Sequence, residues 1–131
     1  MKKAAMTMLA LLWNAPAVAA CPAGQHAMLT ARLYFGLMDN GRRVPDPAWE
    51  DFLARIVTPR FPDGFTVYDA RGQWRDPRTG VIAREPSKVI EIDAQDTRGF
   101  RARVEAVRKD YAKRFHQQSV GLLTLPACGT F

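Results

Sequence analysis

The 131-residue sequence lacks most of the signatures that announce a reaction. It has no phosphate-cradling glycine loop, no Gly-x-Ser-x-Gly nucleophile turn and no Cys-x-x-Cys pair. Histidine is scarce: only His26 and His116 occur, without metal-ligand spacing. No catalytic residue, metal or cofactor is therefore expected from motifs. Long apolar runs are missing as well. The longest, from Ala4 to Trp13, is about half of the roughly 20 residues that span a bilayer. Internal repeats and low-complexity tracts are also absent.

What is present begins with an export signal. Lys2 and Lys3 precede the apolar run, and the small residues up to Ala20 follow Pro16, so residues 1–20 read as a signal peptide. Residues 21–131 are then one domain, enough chain for a single core. The expected location is periplasmic or secreted. Val18-Ala19-Ala20-Cys21 also resembles a lipobox, which would make the product a membrane-anchored lipoprotein. The other cysteine, Cys128, offers the alternative of a disulfide with Cys21 in an oxidising compartment. One sulfur cannot serve both bonds, and the disulfide is the favoured reading. Without Lys2 and Lys3, 17 basic side chains face 13 acidic ones. In an exported chain that surplus suits a solvated Arg-rich surface or anionic envelope surfaces, and no nucleic acid is expected as partner.

Hydrophobic periodicity orders the domain. Residues 30–37, TARLYFGL, alternate with period two and predict a strand. MDNGRRVPDP reads as a loop, with Asp46 as the N-cap of a helix and Pro47 at its first position. Trp49, Phe52, Leu53 and Ile56 then share a helical face that Pro59 ends. FTVYDA is a second strand. Gly72 predicts a bend or bulge, DPRTG at 76–80 a hairpin turn, and VIARE with SKVIEI a third strand interrupted at Pro86. Phe100, Val104, Val107, Tyr111 and Phe115 form the stripe of a long second helix between Thr97 and Gln118, and SVGLLTL is a fourth strand. The order β-α-β-β-α-β predicts an α+β, ferredoxin-like fold. Its four-stranded antiparallel sheet carries two helices on one face and a long, bent hairpin between strands 2 and 3. That topology brings the two cysteines to one end of adjacent strands.

Three features are candidate ligand or interface sites. If Leu33 and Phe35 face the helices, Arg32 and Tyr34 face out, joined by Tyr68 and Glu91. That face is either a binding or dimer surface or an ordinary solvated sheet with an Arg32–Glu91 cross-strand pair. Glu85, Ser87 and Lys88 bring an acid, a hydroxyl and an amine close in sequence, the raw material of proton transfer, although strict alternation would separate Lys88 from the other two. Gln73-Trp74-Arg75 offers a stacking indole beside an amide, or a Trp that packs across the hairpin on Val81 or Ala83 and fixes its register. The second role is favoured. His116 reads as a surface residue placed by the helix dipole.

LYFGL, W..FL...VTPRFPDGFTV.DA.GQWR, E.SKV and RF.Q.SV followed by a late cysteine resemble the exported bacterial proteins of the domain of unknown function 3574 family. The resemblance runs from about Thr30 to Phe131. It implies an exported single-domain protein, often described as a lipoprotein, and it implies no reaction. The residues that carry it at 34–36, 58–65, 72–74 and 85–88 bring no catalytic role with them.

The leading functional expectation is a non-catalytic module of the cell envelope that binds a small ligand or an envelope protein, or pairs as a homodimer. One rival is a cofactor-free enzyme of the dimeric ferredoxin-like type, isomerase- or monooxygenase-like. It requires several of Tyr34, Arg60, Tyr68, Glu85, Ser87 and Lys88 to line one pocket. Another rival is a structural protein that touches the membrane only through a lipid on Cys21.

Overall fold

The computed structural model describes residues 20–131. The expected signal peptide lies, apart from Ala20, outside the described residues. β1 (His26–Gly36) is followed by the short strands β2 (Met38–Asp39) and β3 (Arg42–Arg43), then by helix α1 (Asp46–Phe52), which runs into a π-helical turn over Leu53–Val57. Next come β4 (Thr66–Arg75), β5 (Ile82–Ala94), helix α2 (Arg98–Arg114) and β6 (Gly121–Gly129). β1, β4, β5 and β6 form one antiparallel sheet in the order β4-β5-β1-β6. Counting only those strands, this is the ferredoxin-like 4-1-3-2 arrangement read from the other edge.

Alternation along β1 decides what faces the helices. Leu29, Ala31, Leu33 and Phe35 are buried, as are Ile90 and Ile92 of β5. Against them α1 places Trp49 and Phe52, and α2 places Phe100, Val104, Val107 and Tyr111. Phe35, Trp49, Phe52 and Tyr111 meet mostly edge to face, with ring centroids 4.7–6.0 Å apart. The central strands thus supply the sheet's share of the core, whereas Leu122, Leu123 and Leu125 of the edge strand β6 stay well exposed.

Several local expectations change. Asp46 is not the N-cap: the cap position is Pro45, and the Asp46 side chain lies near Arg43, 3.5 Å away. Asn40 and Gly41 both take positive φ (48° and 79°), so the stretch read as a loop closes the β2–β3 hairpin. The first helix ends on a wide turn, where Thr58 N–H donates to Leu53 C=O at 2.9 Å. Pairing of β4 with β5 runs in one register from Thr66 opposite Glu91 to Arg75 opposite Ile82, through Gly72 and Pro86. No residue is inserted, so no bulge forms there. Pro86 still finds a use: it donates nothing, but its carbonyl accepts from Leu37 N–H at 3.1 Å where β1 leaves the sheet.

Cys21 is bonded to Cys128, with Cα atoms 5.6 Å apart at a sequence separation of 107. The bond follows from the topology, since β6 lies beside β1 and Cys128 stands opposite Ala27. It occupies the sulfur that a lipid thioether at Cys21 would need.

Candidate functional site

Cross-strand register assigns every candidate to a face, because directly paired residues point the same way. On the face away from the helices, one row runs Gly121–Tyr34–Val89–Tyr68 across β6, β1, β5 and β4. The next row is Gly36–Ser87–Ala70, then Glu85–Gly72, then Ala83–Trp74. Rows two residues apart are separated by about 7 Å at strand rise. Tyr34, Val89 and Tyr68 therefore make one ridge and Trp74 another, about 20 Å apart. Between them the floor consists of small residues with Ser87 and Glu85. A groove of about 320 Å³ lies there, touching Tyr34, Trp74, Glu85, Ser87 and Gly72. That volume is at the lower end of small-molecule sites.

The walls are held from behind. A Cβ on Gly121 would stand 3.2 Å from the Tyr34 Cβ, so the glycine leaves room for the Tyr34 side chain. The Tyr111 hydroxyl crosses from α2 to donate to Gly36 C=O at 2.7 Å, fixing the end of β1 beneath the groove. Burial, with a smaller contribution from the Asp39 charge, pushes the Tyr111 phenol above its ordinary range. Beyond the ridge, Arg32 bonds Glu91 in the expected cross-strand pair, which raises the Arg32 pKa, and Thr30 donates to Asp93. Those charges are compensated. Glu85 differs: half-buried, it forms no ion pair or side-chain hydrogen bond among the described residues.

Tyr34 (43 % exposed), Tyr68 (47 %) and Trp74 (52 %) are open enough to meet a ligand. Trp74 does stand opposite Ala83 and so belongs to the hairpin register, but half of its surface remains in solvent. The favoured register-holding role is thus only half of what the residue's placement permits.

Lys88 and Gln73 lie on the opposite, helix-side face. Lys88 pairs with Asp69 directly across the ribbon, and this holds the Asp69 carboxyl below its usual range. Gln73 accepts from the Arg84 Nε at 2.8 Å. Arg60 is farther off, bonded to Asp110 of α2 and to Ile56 C=O. His116 sits past the end of α2 with φ at 49° and its Nδ1 is 3.0 Å from Asp39, so a local contact places it as well as the helix terminus. The set required for a single proton-transfer pocket is therefore divided: Tyr34, Glu85 and Ser87 share the outer groove, while Lys88 and Arg60 do not reach it.

Sequence reasoning missed the floor of the groove and the residues that support it. Gly36, Ala70 and Gly72 carry no chemistry of their own, and their meaning appears only once three strands are in register. The signal available was small residues at period two beside aromatic ones.

A family model described as protein of unknown function (DUF3574) matches residues 30–131. The chain belongs to the DUF3574 family. No curated protein matches the chain. Among solved structures, a phage SAM lyase in complex with S-methyl-5'-thioadenosine is similar to this DUF3574 chain with a TM-score of 0.58 and 20 % identity, over 87 % of this chain and 95 % of that one. A phage SAM lyase in the apo state gives 0.57 and 20 %, over 79 % and 89 %. At that identity the likeness is one of fold.

Proposed function

We propose that the DUF3574 chain is an exported binding module whose outer groove takes a small ligand carrying a positive charge and a flat group. The observation that carries this is Glu85: a half-buried carboxylate without an ion pair or side-chain hydrogen bond among the described residues, in a groove flanked by the rings of Tyr34 and Trp74. A cation there gains an ion pair and, with Trp74 one row away, the face of an electron-rich ring, a contact worth about 0.5–2 kcal/mol. Ser87 and the Tyr34 hydroxyl supply hydrogen bonds that orient the flat portion. Export is supported by the Cys21–Cys128 disulfide, a bond of oxidising compartments.

The phage SAM lyase likeness favours a second reading, an enzyme acting on a sulfonium substrate. S-adenosylmethionine is itself a cation joined to a flat base, so it belongs to the ligand class that the groove suits. One experiment addresses both readings. The purified protein is titrated by NMR with S-adenosylmethionine, with its neutral thioether S-adenosylhomocysteine, and with tetramethylammonium. The same S-adenosylmethionine samples are followed by chromatography. Shifts at Gly72, Glu85, Ser87 and the Trp74 indole with an unchanged ligand support the binding module. Release of S-methyl-5'-thioadenosine supports the enzyme. No shift with any of the three compounds contradicts the proposal.

A further inference from the structure

The helix-side face of the same ribbon carries a different chemistry. Past the last residues of the core, β4 and β5 continue as a two-stranded ribbon, and on this face they present Arg71, Gln73, Arg84 and Lys88. With Leu37, Arg43 and Asp46 from the facing hairpin and α1, they line a cleft of about 840 Å³. The cleft and the outer groove share Ala70, Arg71, Gly72, Glu85, Pro86 and Ser87 in their linings, and sheet parity turns the Arg71 and Arg84 side chains toward the cleft and those of Glu85 and Ser87 toward the groove.

Its charges are unevenly compensated. Lys88 is matched by Asp69. Arg43 reaches Asp46 only at 3.5 Å, with both side chains largely in solvent. Arg84 is held by a neutral amide, the Gln73 Oε1 accepting from its Nε, so its Nη1–Nη2 edge carries no described bond. Arg71 forms no ion pair or side-chain hydrogen bond among the described residues, and opposite it stands Pro86, which has no polar side-chain atom. On the ribbon Arg71 and Arg84 are diagonal neighbours, close enough for like charges to repel. Placing two guanidiniums side by side without an acid between them is unfavourable unless an anion joins them. Planar forks that can each give two parallel hydrogen bonds match the oxygens of a phosphate.

We infer that this cleft is a phosphate-binding site. Arg71 and Arg84 are its ligating forks, Arg43 is a third cation at the rim, and Gln73 is a positioning residue that orients Arg84. A free phosphate and a phosphate-bearing headgroup of an anionic lipid share the required chemistry.

The test uses the disulfide-bonded protein in two arms, with arginine Nε–H resonances read by NMR. Inorganic phosphate is titrated in one arm. Vesicles of phosphatidylglycerol, against phosphatidylcholine as blank, are added in the other. Phosphate is expected to shift the Arg71 and Arg84 signals together, with an affinity that falls as salt rises. Arg71→Gln and Arg84→Gln each weaken binding by about tenfold, as expected for loss of one charge-assisted contact. Gln73→Ala weakens it less and moves the Arg84 signal even without phosphate. Arg98→Gln, at the start of α2, serves as a surface control and changes nothing. Binding in the vesicle arm alone, lost in the same variants, assigns the site to headgroups. Equal loss in Arg98→Gln, shifts spread over all arginines, or no response in either arm would overturn the inference. These side chains are exposed or at a cleft wall, so a thermal melt of each variant within a few degrees of the parent separates lost binding from lost folding.

Discussion

Glu85 and Lys88 lie three positions apart on one uninterrupted strand, and the pleat sends them to opposite faces of the sheet. Glu85 joins Ser87 and Trp74 over the outer groove, while Lys88 bonds Asp69 on the helix side. An acid and an amine that look like a pair in the sequence are therefore turned to opposite sides of the ribbon. Two faces of one ribbon, each with its own charge, result from that parity.

The two residues should accordingly behave independently. Glu85→Gln is expected to weaken a cationic ligand about tenfold or more, since it removes the one carboxylate lining the groove among the described residues. Lys88→Gln is expected to leave that affinity within about twofold, as sites without shared partners are close to additive. Isothermal titration of the two single variants and the double variant checks this. A large coupling between them would mean that the ribbon does not keep the faces apart.

Trp74 separates binding from stability. Half of its surface is exposed and its cross-strand partner is only Ala83, so Trp74→Ala should cost less than about 1 kcal/mol of stability. Ligand affinity, which uses the indole face, should fall by about tenfold. Urea unfolding together with a ligand titration distinguishes this from a Trp whose main task is to hold the hairpin, for which stability would suffer first.

The Cys21–Cys128 bond closes nearly the whole described chain. Its removal in Cys128→Ser should cost roughly 3–5 kcal/mol by the loop-entropy model, a large part of the stability of a domain this size. Urea midpoints of the oxidised protein, the reduced protein and the variant measure it. The reduced protein and the variant are expected to coincide.

Tyr111 gives the fold an alkaline limit. Its hydroxyl donates to Gly36 C=O, and burial raises its folded pKa above the unfolded value near 10. A raised pKa means the folded state holds the proton more tightly, so the contribution is complete below about pH 10 and is lost as pH rises beyond it. Tyr111→Phe should cost about 1–3 kcal/mol at pH 8, because the Gly36 carbonyl loses its donor in the interior. The gap between parent and variant should narrow at pH 11. Unfolding curves at the two pH values check the sign.

Much of the fold was legible because its elements are strongly periodic. The Phe100–Phe115 stripe, the alternation from Ala31 to Leu37 and the element order pointed to the same sheet. What escaped was local geometry that depends on neighbours far away in sequence. Gly72 and Pro86 predict a bend or bulge in the hairpin, yet pairing runs through them in one register because each strand has a continuous partner there. The β2–β3 hairpin and the π-helical turn are too short for any period to reveal. For the site, period two sorted Arg32, Tyr34, Tyr68 and Glu91 onto one face correctly. It could not show that Glu85 is unpaired among the described residues or that Gln73 serves Arg84, since both facts depend on cross-strand register.

The most direct measurement of the central claim is the affinity ratio between a cationic ligand and its neutral counterpart, before and after Glu85→Gln. With S-adenosylmethionine and S-adenosylhomocysteine followed at the Trp74 indole, the parent is expected to prefer the cation by about tenfold, the value of one ion pair in a half-buried site. Glu85→Gln is expected to abolish the preference while retaining the weaker binding shared by both compounds. A preference that survives in Glu85→Gln, or a parent that binds neither compound, would contradict the central claim.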